Sequence, residues 1–482
     1  MIDLSGNANF QLIAPELLLC GFGFVILLCG VIRALRPAAF PVALIGLLAT
    51  LCLVVSRWEG GGSSFFGMVT KDSFSSVFTF IFLFSGVITF LLARSYLRAH
   101  RLESPEFYAL VIFSILGMLA MASSYDLIVI FVGLEIMSLP LYVLAALERK
   151  RATSLEAGLK YFIMGAFASG FLLYGIALIY GASGSTDLRV VTGNFMAIAQ
   201  SSPWFLTVGA LLTLVGFGFK VAAVPFHMWA PDVYEGAPTP VTAFFSVGPK
   251  AAGFAALLRI FSYGFGAMDA LEPYLWTLAA LTMLVGNLFA LYQSNIKRML
   301  AYSSIAHAGY ALVAVAVGGD SSIAAAVYYL IAYAFFNFGA FAILSLMDSR
   351  PGAQSRMDDV VGLSSAHPAL AALLALFMFA LAGFPPTAGF FGKFYIFAAA
   401  VESGYITLAV IGVLASFVSV YYYLRVVVQA YFVKPDRPFA TPEVSPLVAT
   451  ALALCAVGTL ALGLFPSRWI DVSKSAVIAL LQ

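Results

Sequence analysis

The segment WFLTVGALLTLVGFGFKVAAVPF (204–226) is apolar over a length that can cross a bilayer, for which about 20 helical residues are enough. It carries one charged residue, Lys220, and one proline, Pro225. In an ideal helix the carbonyl of Val221 would accept from the amide of residue 225, but Pro225 has no N–H to donate. The segment therefore predicts a membrane-spanning helix that breaks just after Lys220.

The composition of the whole chain agrees with a membrane protein. Hydrophobic residues make up 62% of the 482 residues and charged residues only 10%, whereas soluble domains are about 25% charged. The net charge of +2 gives no basic surface for a nucleic acid. We therefore expect a multi-pass protein whose main surroundings are lipid.

Fourteen apolar runs predict an all-α integral membrane fold of about fourteen spans. We place them at 12–33, 38–56, 74–97, 107–123, 126–147, 155–181, 204–226, 240–262, 274–293, 299–318, 322–347, 368–400, 405–432 and 446–465. The amphipathic tail 469–481 is too short to span and is expected to lie at the membrane surface.

The distribution of basic residues predicts the orientation of the chain. One side collects Arg33, Arg36, Arg94, Arg98, Arg101, Arg149, Lys150, Arg151, Lys297, Arg298, Arg350, Arg356, Lys434 and Arg437. The other side has Arg57, Lys71, Arg189, Arg259, Arg468 and Lys474. Because cytoplasmic loops are enriched in Lys and Arg, we expect the first side to face the cytoplasm and both termini to lie on the outside.

Four charged residues fall within predicted spans: Glu135 near the middle of the fifth, Lys220 in the seventh, Lys250 near the middle of the eighth and Lys393 in the twelfth. A charge at this depth costs about 2.5 kcal/mol or more and usually marks a function. Structural ion pairs, or side chains that reach the interface, are the alternatives. Burial disfavours the charged form of a lysine, so a row of such lysines predicts a proton relay.

A second helix break is predicted at Pro385 and Pro386, shortly before Lys393. The two breaks lie five spans apart, which predicts two inverted five-helix repeats, spans 4–8 and 9–13, with helices 7 and 12 discontinuous. The predicted organisation is then 1–106 (three helices), 107–262 (first repeat), 263–432 (second repeat) and 433–482 (a last helix and the tail).

Three stretches resemble a known family: GFGFKVAAVPFHMWAPDVYEGAPTPVTAFFSVGPKA (216–251), NIKRMLAYSSIAHAGY (295–310) and GFPPTAGFFGKF (383–394). They are similar to the antiporter-like membrane subunits of respiratory complex I, which are related to multisubunit cation/proton antiporters. The resemblance covers about 107–432. Lys393, and the absence of a long C-terminal lateral helix, resemble subunit N rather than subunits M and L.

This resemblance implies roles for the embedded residues. Glu135 would modulate Lys220, the central lysine of the first half; Lys250 would connect that half to the centre, and Lys393 would end the second half. His307 would bridge them, unless it is a packing histidine. Lys160 would either join the relay or reach the interface.

The resemblance also implies the partners: the neighbouring subunit M, small membrane subunits and the lateral helix of subunit L. NADH, FMN, Fe–S clusters and quinone would be bound by other subunits, because no cofactor or metal site is evident in this chain. Its four cysteines are scattered, and only one of its four histidines lies deep in a span, which argues against haem. Proton translocation in an NADH:quinone oxidoreductase is the predicted function, and a subunit of a cation/proton antiporter is the alternative.

Overall fold

The computed structural model describes residues 9–58, 61–266, 268–350, 355–435 and 442–481, and these residues are mostly helical. The first half contains α1 (Ala14–Val31), α2 (Ala39–Ser56), β1 (Gly62–Ser64), β2 (Val69–Lys71), α3 (Ser73–Ala99), α4 (Pro105–Ala122), α5 (Leu127–Ala145), α6 (Ala152–Ser183), α7 (Leu188–Gly193), α8 (Phe195–Ser201), α9 (Pro203–Val221), α10 (Trp229–Gly236) and α11 (Thr239–Leu257). The second half contains α12 (Glu272–Leu291), α13 (Ile296–Val317), α14 (Asp320–Asp348), α15 (Leu363–Ala366), α16 (Pro368–Ala382), α17 (Ala388–Glu402), α18 (Ile406–Phe432), α19 (Pro446–Leu464) and α20 (Pro466–Leu481). A π-helix (Leu258–Gly264) continues α11, and short 3-10 helices cover Arg33–Ala38, Asp269–Leu271 and Met357–Val360.

Thirteen helices of the described residues are long and apolar enough to cross a membrane. They are α1 to α6, α9, α11 to α14, α18 and α19. The predicted twelfth span, 368–400, consists of two 15-residue helices, α16 and α17. The all-α membrane fold is therefore confirmed, while the exact number of spans stays a prediction.

Polar residues at the ends of the apolar runs determine where several helices begin. The carboxylate of Asp72 accepts from the amide of Ser75 at the start of α3. Asp126 caps α5, and the Asn295 side chain caps α13 in the same way. Each cap satisfies amides that have no partner inside the helix.

Two matching connections support the predicted internal repeat. Asp126, at the start of α5, forms a β-bridge with Asp187, and Asn295, at the start of α13, forms one with Arg356. Each residue of the second bridge lies the same number of positions after its counterpart in the first bridge, 295 after 126 and 356 after 187. The flanking amide–carbonyl bonds, from Leu127 to Thr186 and from Ile296 to Ser355, follow the same spacing. The boundaries and inversion of the repeats stay predictions.

The core lies where the two halves meet. Helix α11 is fully buried, and α13 and α14 are almost fully buried, whereas α1 and α2 expose most of their apolar surface. Helix α11 packs against α3, α13 and α14. Lys250 of α11 and Lys297 of α13 are therefore covered by protein.

The C-terminal helix α20 lies on the outside of this core. It packs against α3 and α14, with Ser473, Ala476 and Leu480 buried. The Tyr125 hydroxyl donates to the Leu480 carbonyl at 3.0 Å. Helix α20 is not among the thirteen helices that are long and apolar enough to span, and its predicted position at the membrane surface stays a prediction.

Two basic residues that were counted on one or the other side of the membrane are buried. Arg259, counted on the outer side, is fully buried in the π-helix and donates to both carboxylate oxygens of Asp72, at 3.0 and 2.8 Å. Lys297, predicted for the cytoplasmic side, is 2% exposed in the first turn of α13. A count of basic residues treats every residue near a span end as solvated, and these two are covered by neighbouring helices. Arg437, also used in that count, lies outside the described residues.

Candidate functional site

The first break leaves Lys220 in the last turn of its helix. Helix α9 ends at Val221, and Ala222 adopts a left-handed conformation with φ of 60°. Lys220 is 4% exposed, and its ammonium donates to the hydroxyls of Ser138 at 2.8 Å and Tyr161 at 3.4 Å. The predicted break is thus confirmed. The contacts of the ammonium are side-chain hydroxyls of α5 and α6, not the free carbonyls of α9.

Trp229, just beyond the break, holds this arrangement together. Its indole N–H donates to the carbonyl of Phe219 at 2.9 Å, one of the carbonyls at the end of α9. Its ring stacks on Tyr161 with 4.4 Å between centroids and 4° between planes. Trp229 therefore fixes both the end of α9 and the tyrosine that contacts Lys220.

The loop of the first break is also tied to the second half. The amide of Val224 donates to the Thr282 hydroxyl of α12 at 2.9 Å. On the other side, α11 approaches the break closely at Gly253, which has no side chain. A Cβ at this position would lie 2.8 Å from the Val221 side chain. The broken segment is thus packed on both of its sides.

Glu135 lies near Lys220 but does not form an ion pair with it. Its carboxylate accepts from the Ser169 hydroxyl of α6 in a short hydrogen bond. Ser138, one turn further along α5, is the residue that contacts the Lys220 ammonium. The described structure records no direct contact between Glu135 and Lys220, so the modulating role of Glu135 stays a prediction.

Lys250 lies at the centre of the molecule, on α11. It is 4% exposed, and its ammonium donates to the carbonyl of Ser304 at 2.6 Å and to the Ser304 hydroxyl at 2.5 Å. The Tyr333 hydroxyl of α14 also donates to the Ser304 hydroxyl, at 3.0 Å. Ser304 therefore joins the lysine of the first half to two helices of the second.

His307 lies one turn beyond Ser304 on α13 and is buried. One ring nitrogen shares a short hydrogen bond with the Tyr329 hydroxyl, and the other lies 3.0 Å from the Tyr423 hydroxyl. The Tyr423 hydroxyl also contacts Ser303. Both ring nitrogens thus face groups that can donate or accept a proton, as a bridging residue requires.

Lys393 lies beyond the second break, on α17, and reaches back across it. Its ammonium donates to the carbonyls of Leu381 at 3.0 Å and Ala382 at 2.9 Å, the last two residues of α16. It also donates to the Ser416 hydroxyl of α18 at 2.9 Å. A cation at this position satisfies carbonyls that have no partner within the helix and favours the negative end of the helix dipole.

A cavity of about 770 Å³ opens beside Lys393. Lys393 and Ser416 lie at its wall, which is otherwise mainly apolar, with Phe394, Phe397 and Phe417 among the lining residues. The broken helix therefore gives the Lys393 region an opening toward the apolar surface of the chain.

The three buried lysines share one feature. Among the described residues, no carboxylate oxygen lies within 4 Å of the ammonium of Lys220, Lys250 or Lys393. Their partners are hydroxyls and carbonyls. The alternative of buried structural ion pairs is therefore not supported by the geometry of the described chain.

Lys160 differs from these three because it belongs to a half-exposed ionic network. Its ammonium lies 2.7 Å from Asp232 and 2.6 Å from Glu156, and Arg298 of α13 lies 2.7 Å from the other oxygen of Asp232. Burial alone would raise the pKa of Asp232, which lies on α10 between two spans, but hydrogen bonds from Lys160 and Arg298 outweigh it and lower that pKa. This network links α6, α10 and α13 and lies apart from the buried lysines.

The sequence prediction missed the groups that solvate the lysines, namely Ser138, Tyr161, Ser304 and Ser416, and the tyrosines around His307. Their only signal was a hydroxyl inside an apolar run, which is common in membrane helices. Lys297 was also missed as a buried lysine. It shares a helix face with Ser304, seven residues later, and that spacing could have indicated its direction.

Comparisons with known proteins agree with this architecture. A family profile described as "NADH:quinone oxidoreductase/Mrp antiporter, TM" matches residues 124–419. The chain belongs to this family. The match spans both breaks and all the embedded residues discussed above.

Relatives of similar length carry the same assignment. The chain is 46% identical to NADH-quinone oxidoreductase subunit N of Trichlorobacter lovleyi, with 98% of each chain covered. It is 45% identical to NADH-quinone oxidoreductase subunit N 1 of Solibacter usitatus, with 96% of each covered. These relatives confirm the predicted resemblance to the antiporter-like subunits of complex I.

Solved structures share the fold. A chain of respiratory complex I from Thermus thermophilus, with bound aureothin, is 37% identical with a TM-score of 0.82, covering 95% of this chain and 98% of that one. A chain of the Mrp complex from Dietzia has a TM-score of 0.86 at 23% identity, with 98% of each chain covered. The second likeness is one of fold alone.

Proposed function

We propose that this chain translocates protons as the subunit N type of antiporter-like membrane subunit in a bacterial NADH:quinone oxidoreductase. The observation that carries the proposal is the set of three buried lysines, Lys220, Lys250 and Lys393, whose partners are hydroxyls and carbonyls rather than carboxylates. A carboxylate partner would hold each lysine in its charged form. A hydroxyl can accept from an ammonium and donate to a neutral amine, so it serves both states of a proton carrier.

The central contacts support transfer between the halves. Lys250 is bound to Ser304, and His307 follows one turn later with two tyrosine hydroxyls at its ring nitrogens. Each of these groups can pass a proton by exchanging a donor for an acceptor role. In the proposal, protons move between Lys220 and Lys393 through this central set.

Redox chemistry belongs to other subunits in this proposal. NADH, FMN, Fe–S clusters and quinone are bound elsewhere in the complex, and this chain contributes transport only. Its membrane partners are subunit M, the small membrane subunits and the lateral helix of subunit L. The excess of basic residues on one side supports an inner-membrane orientation with both termini in the periplasm.

The alternative, a subunit of a cation/proton antiporter, fits the site less well. A bare alkali cation prefers a cage of oxygen ligands, and three lysine ammonium groups along the same path would repel it. The likeness to the Mrp complex is one of fold at 23% identity. The two functions differ in their dependence on sodium and potassium.

Lys250→Ala in the assembled complex tests the proposal. Because Lys250 is the central carrier, we expect NADH-driven proton pumping and NADH:quinone turnover to fall together by about a hundredfold, the low end of what a positioned acid–base group contributes. Inverted membrane vesicles report both activities, with assembly checked on native gels. Pumping at the level of the unmodified complex would overturn the proposal, and pumping that requires sodium or potassium in place of choline would favour the alternative.

A further inference from the structure

Lys297 is a fourth buried lysine, and the proposed relay does not use it. It is 2% exposed, and its ammonium donates to the carbonyl of Ala237, at the end of α10, at 2.7 Å. Among the described residues this is its one hydrogen bond, although an ammonium has three donors. No carboxylate of the described chain lies within 4 Å of it. A lysine buried in this way costs free energy that a merely structural contact to one carbonyl does not explain.

Asp348 and Lys297 both contact the connection between α10 and α11. Asp348 ends α14 and is half-buried, and its carboxylate accepts from the hydroxyls of Thr239, in a short bond, and of Ser355 at 2.6 Å. Lys297 donates to the carbonyl of Ala237, two residues before Thr239. Other charged or titratable groups in this region are Arg151, Glu148 and Glu235 around Lys297, and Tyr96 around Asp348. The Asp348 carboxylate is therefore half-exposed to water and lies on the same connection as the buried amine.

The same three helices connect this cluster to Lys250. Thr239, Lys297 and Asp348 lie on α11, α13 and α14, and Lys250, Ser304 and Tyr333 lie deeper on the same helices in the same order. Lys297 and Ser304 are seven residues apart, two turns on one face of α13, or about 10.5 Å along the axis.

Tyr234 is a buried residue of α10, the helix that packs against both α11 and α13. It lies one turn before Ala237, whose carbonyl accepts from the Lys297 ammonium. Lys297, Tyr234, Ser304 and Lys250 are thus buried polar groups on three helices that pack against one another.

We propose that Asp348 and Lys297 form the entrance through which protons reach Lys250 from the side of the membrane where α13 begins. The inference rests on the proposed function. A proton taken from water by the Asp348 carboxylate passes to the neutral amine of Lys297, which restores the carboxylate. The proton then moves from the Lys297 ammonium to the neutral amine of Lys250, through the hydroxyls of Tyr234 and Ser304.

The test uses Lys297→Met in the assembled complex, in inverted vesicles whose cytoplasmic face is exposed to the bath. If Lys297 supplies protons, turnover and pumping should fall by about tenfold at mildly alkaline pH. This loss is smaller than the full contribution of an acid–base group, because water reaches the site by slower routes. Acidifying the bath should restore much of the loss, since a higher proton concentration compensates for slow supply. A structural defect would not recover in this way, so an equal loss at every pH overturns the proposal.

Asp348→Asn gives the same answer if Lys297→Met fails to assemble. The amide oxygen still accepts from one of the two hydroxyls, of Thr239 or Ser355, and the amide NH2 can donate to the other. The group no longer binds a proton, so the same pH-dependent loss is expected. Lys150→Met, which changes an exposed lysine on the same side, is the matched control and should leave both activities unchanged.

The two proposals fail in different ways. If Lys250→Ala stops pumping in these vesicles while Asp348→Asn and Lys297→Met pump normally at every pH, the proposed entrance is wrong and the proposed function stands. If Lys250→Ala pumps normally, the proposed function itself fails.

Discussion

The two helix breaks place a lysine in the membrane in different ways. At the first break Lys220 precedes the break, and its ammonium contacts two hydroxyls, those of Ser138 and Tyr161. At the second break Lys393 follows the break and reaches back to two carbonyls at the end of α16, with one hydroxyl. A carbonyl only accepts, so it favours the ammonium, whereas a hydroxyl can also donate to the neutral amine.

This difference suggests a division of labour between the halves. The surroundings of Lys220 suit both protonation states and fit a residue that switches. Those of Lys393 stabilise its charge through two carbonyls and the end of a helix dipole, and fit a residue that holds a proton until a change in its surroundings displaces it. The following changes separate these roles.

Removing Lys220 should have the largest effect. In Lys220→Ala the first half loses its switching group, and we expect pumping and NADH:quinone turnover to fall together by about a hundredfold or more, as for loss of a positioned acid–base group. Both are measured in membrane vesicles after confirming assembly. Trp229, which orders the same site, is left intact, so folding around the break is preserved. A variant that pumps normally would mean that the two halves do not work in series.

The broad features of both breaks could be predicted from sequence, and the chemistry around them could not. Pro225 and the pair Pro385-Pro386 remove backbone donors, which is a local effect, and the helices do end before them. The partners of the lysines come from other helices. Ser138 lies 82 residues from Lys220, and Ser304 lies 54 residues from Lys250. Such pairings depend on packing, which no local pattern encodes.

The burial of two basic residues at span ends was not predicted from the sequence. Arg259 and Lys297 follow the same composition rules as solvated loop residues, yet both are covered by protein. Arg259 is explained by its pairing with Asp72, more than 180 positions earlier in the chain. Lys297 is covered by α10, which packs against α13 and ends next to Ala237, whose carbonyl accepts from the Lys297 ammonium.

Changing Lys393 should have the next largest effect and tests whether it carries a proton or only caps α16. Arginine keeps the positive charge and can still donate to the Leu381 and Ala382 carbonyls, but it is effectively never deprotonated. We expect Lys393→Arg to assemble normally and to pump about tenfold less or worse, and Lys393→His, which titrates near neutral pH, to retain part of the activity. The comparison is made on pumping per assembled complex. Full pumping with arginine would make Lys393 a fixed charge, and the second half would need another carrier.

Changing Glu135 should show the smallest effect. Glu135 lies one turn before Ser138, the α5 residue that accepts from Lys220, whereas the hydrogen-bond partners of Lys393 are two carbonyls and a hydroxyl. Glutamine at this position removes the charge and keeps an oxygen that can accept from Ser169, whereas alanine removes both. If the charge modulates Lys220, Glu135→Gln should lower turnover nearly as much as Glu135→Ala, by roughly fivefold, the size of an interaction worth about 1 kcal/mol.

Ser169→Ala is the matched control, because it removes the hydrogen bond and leaves the charge, and it should retain most of the activity. Normal turnover with glutamine, together with a loss in both alanine variants, would show that the Glu135–Ser169 bond matters for packing α5 on α6 and that Lys220 switches without a nearby charge, as Lys393 must.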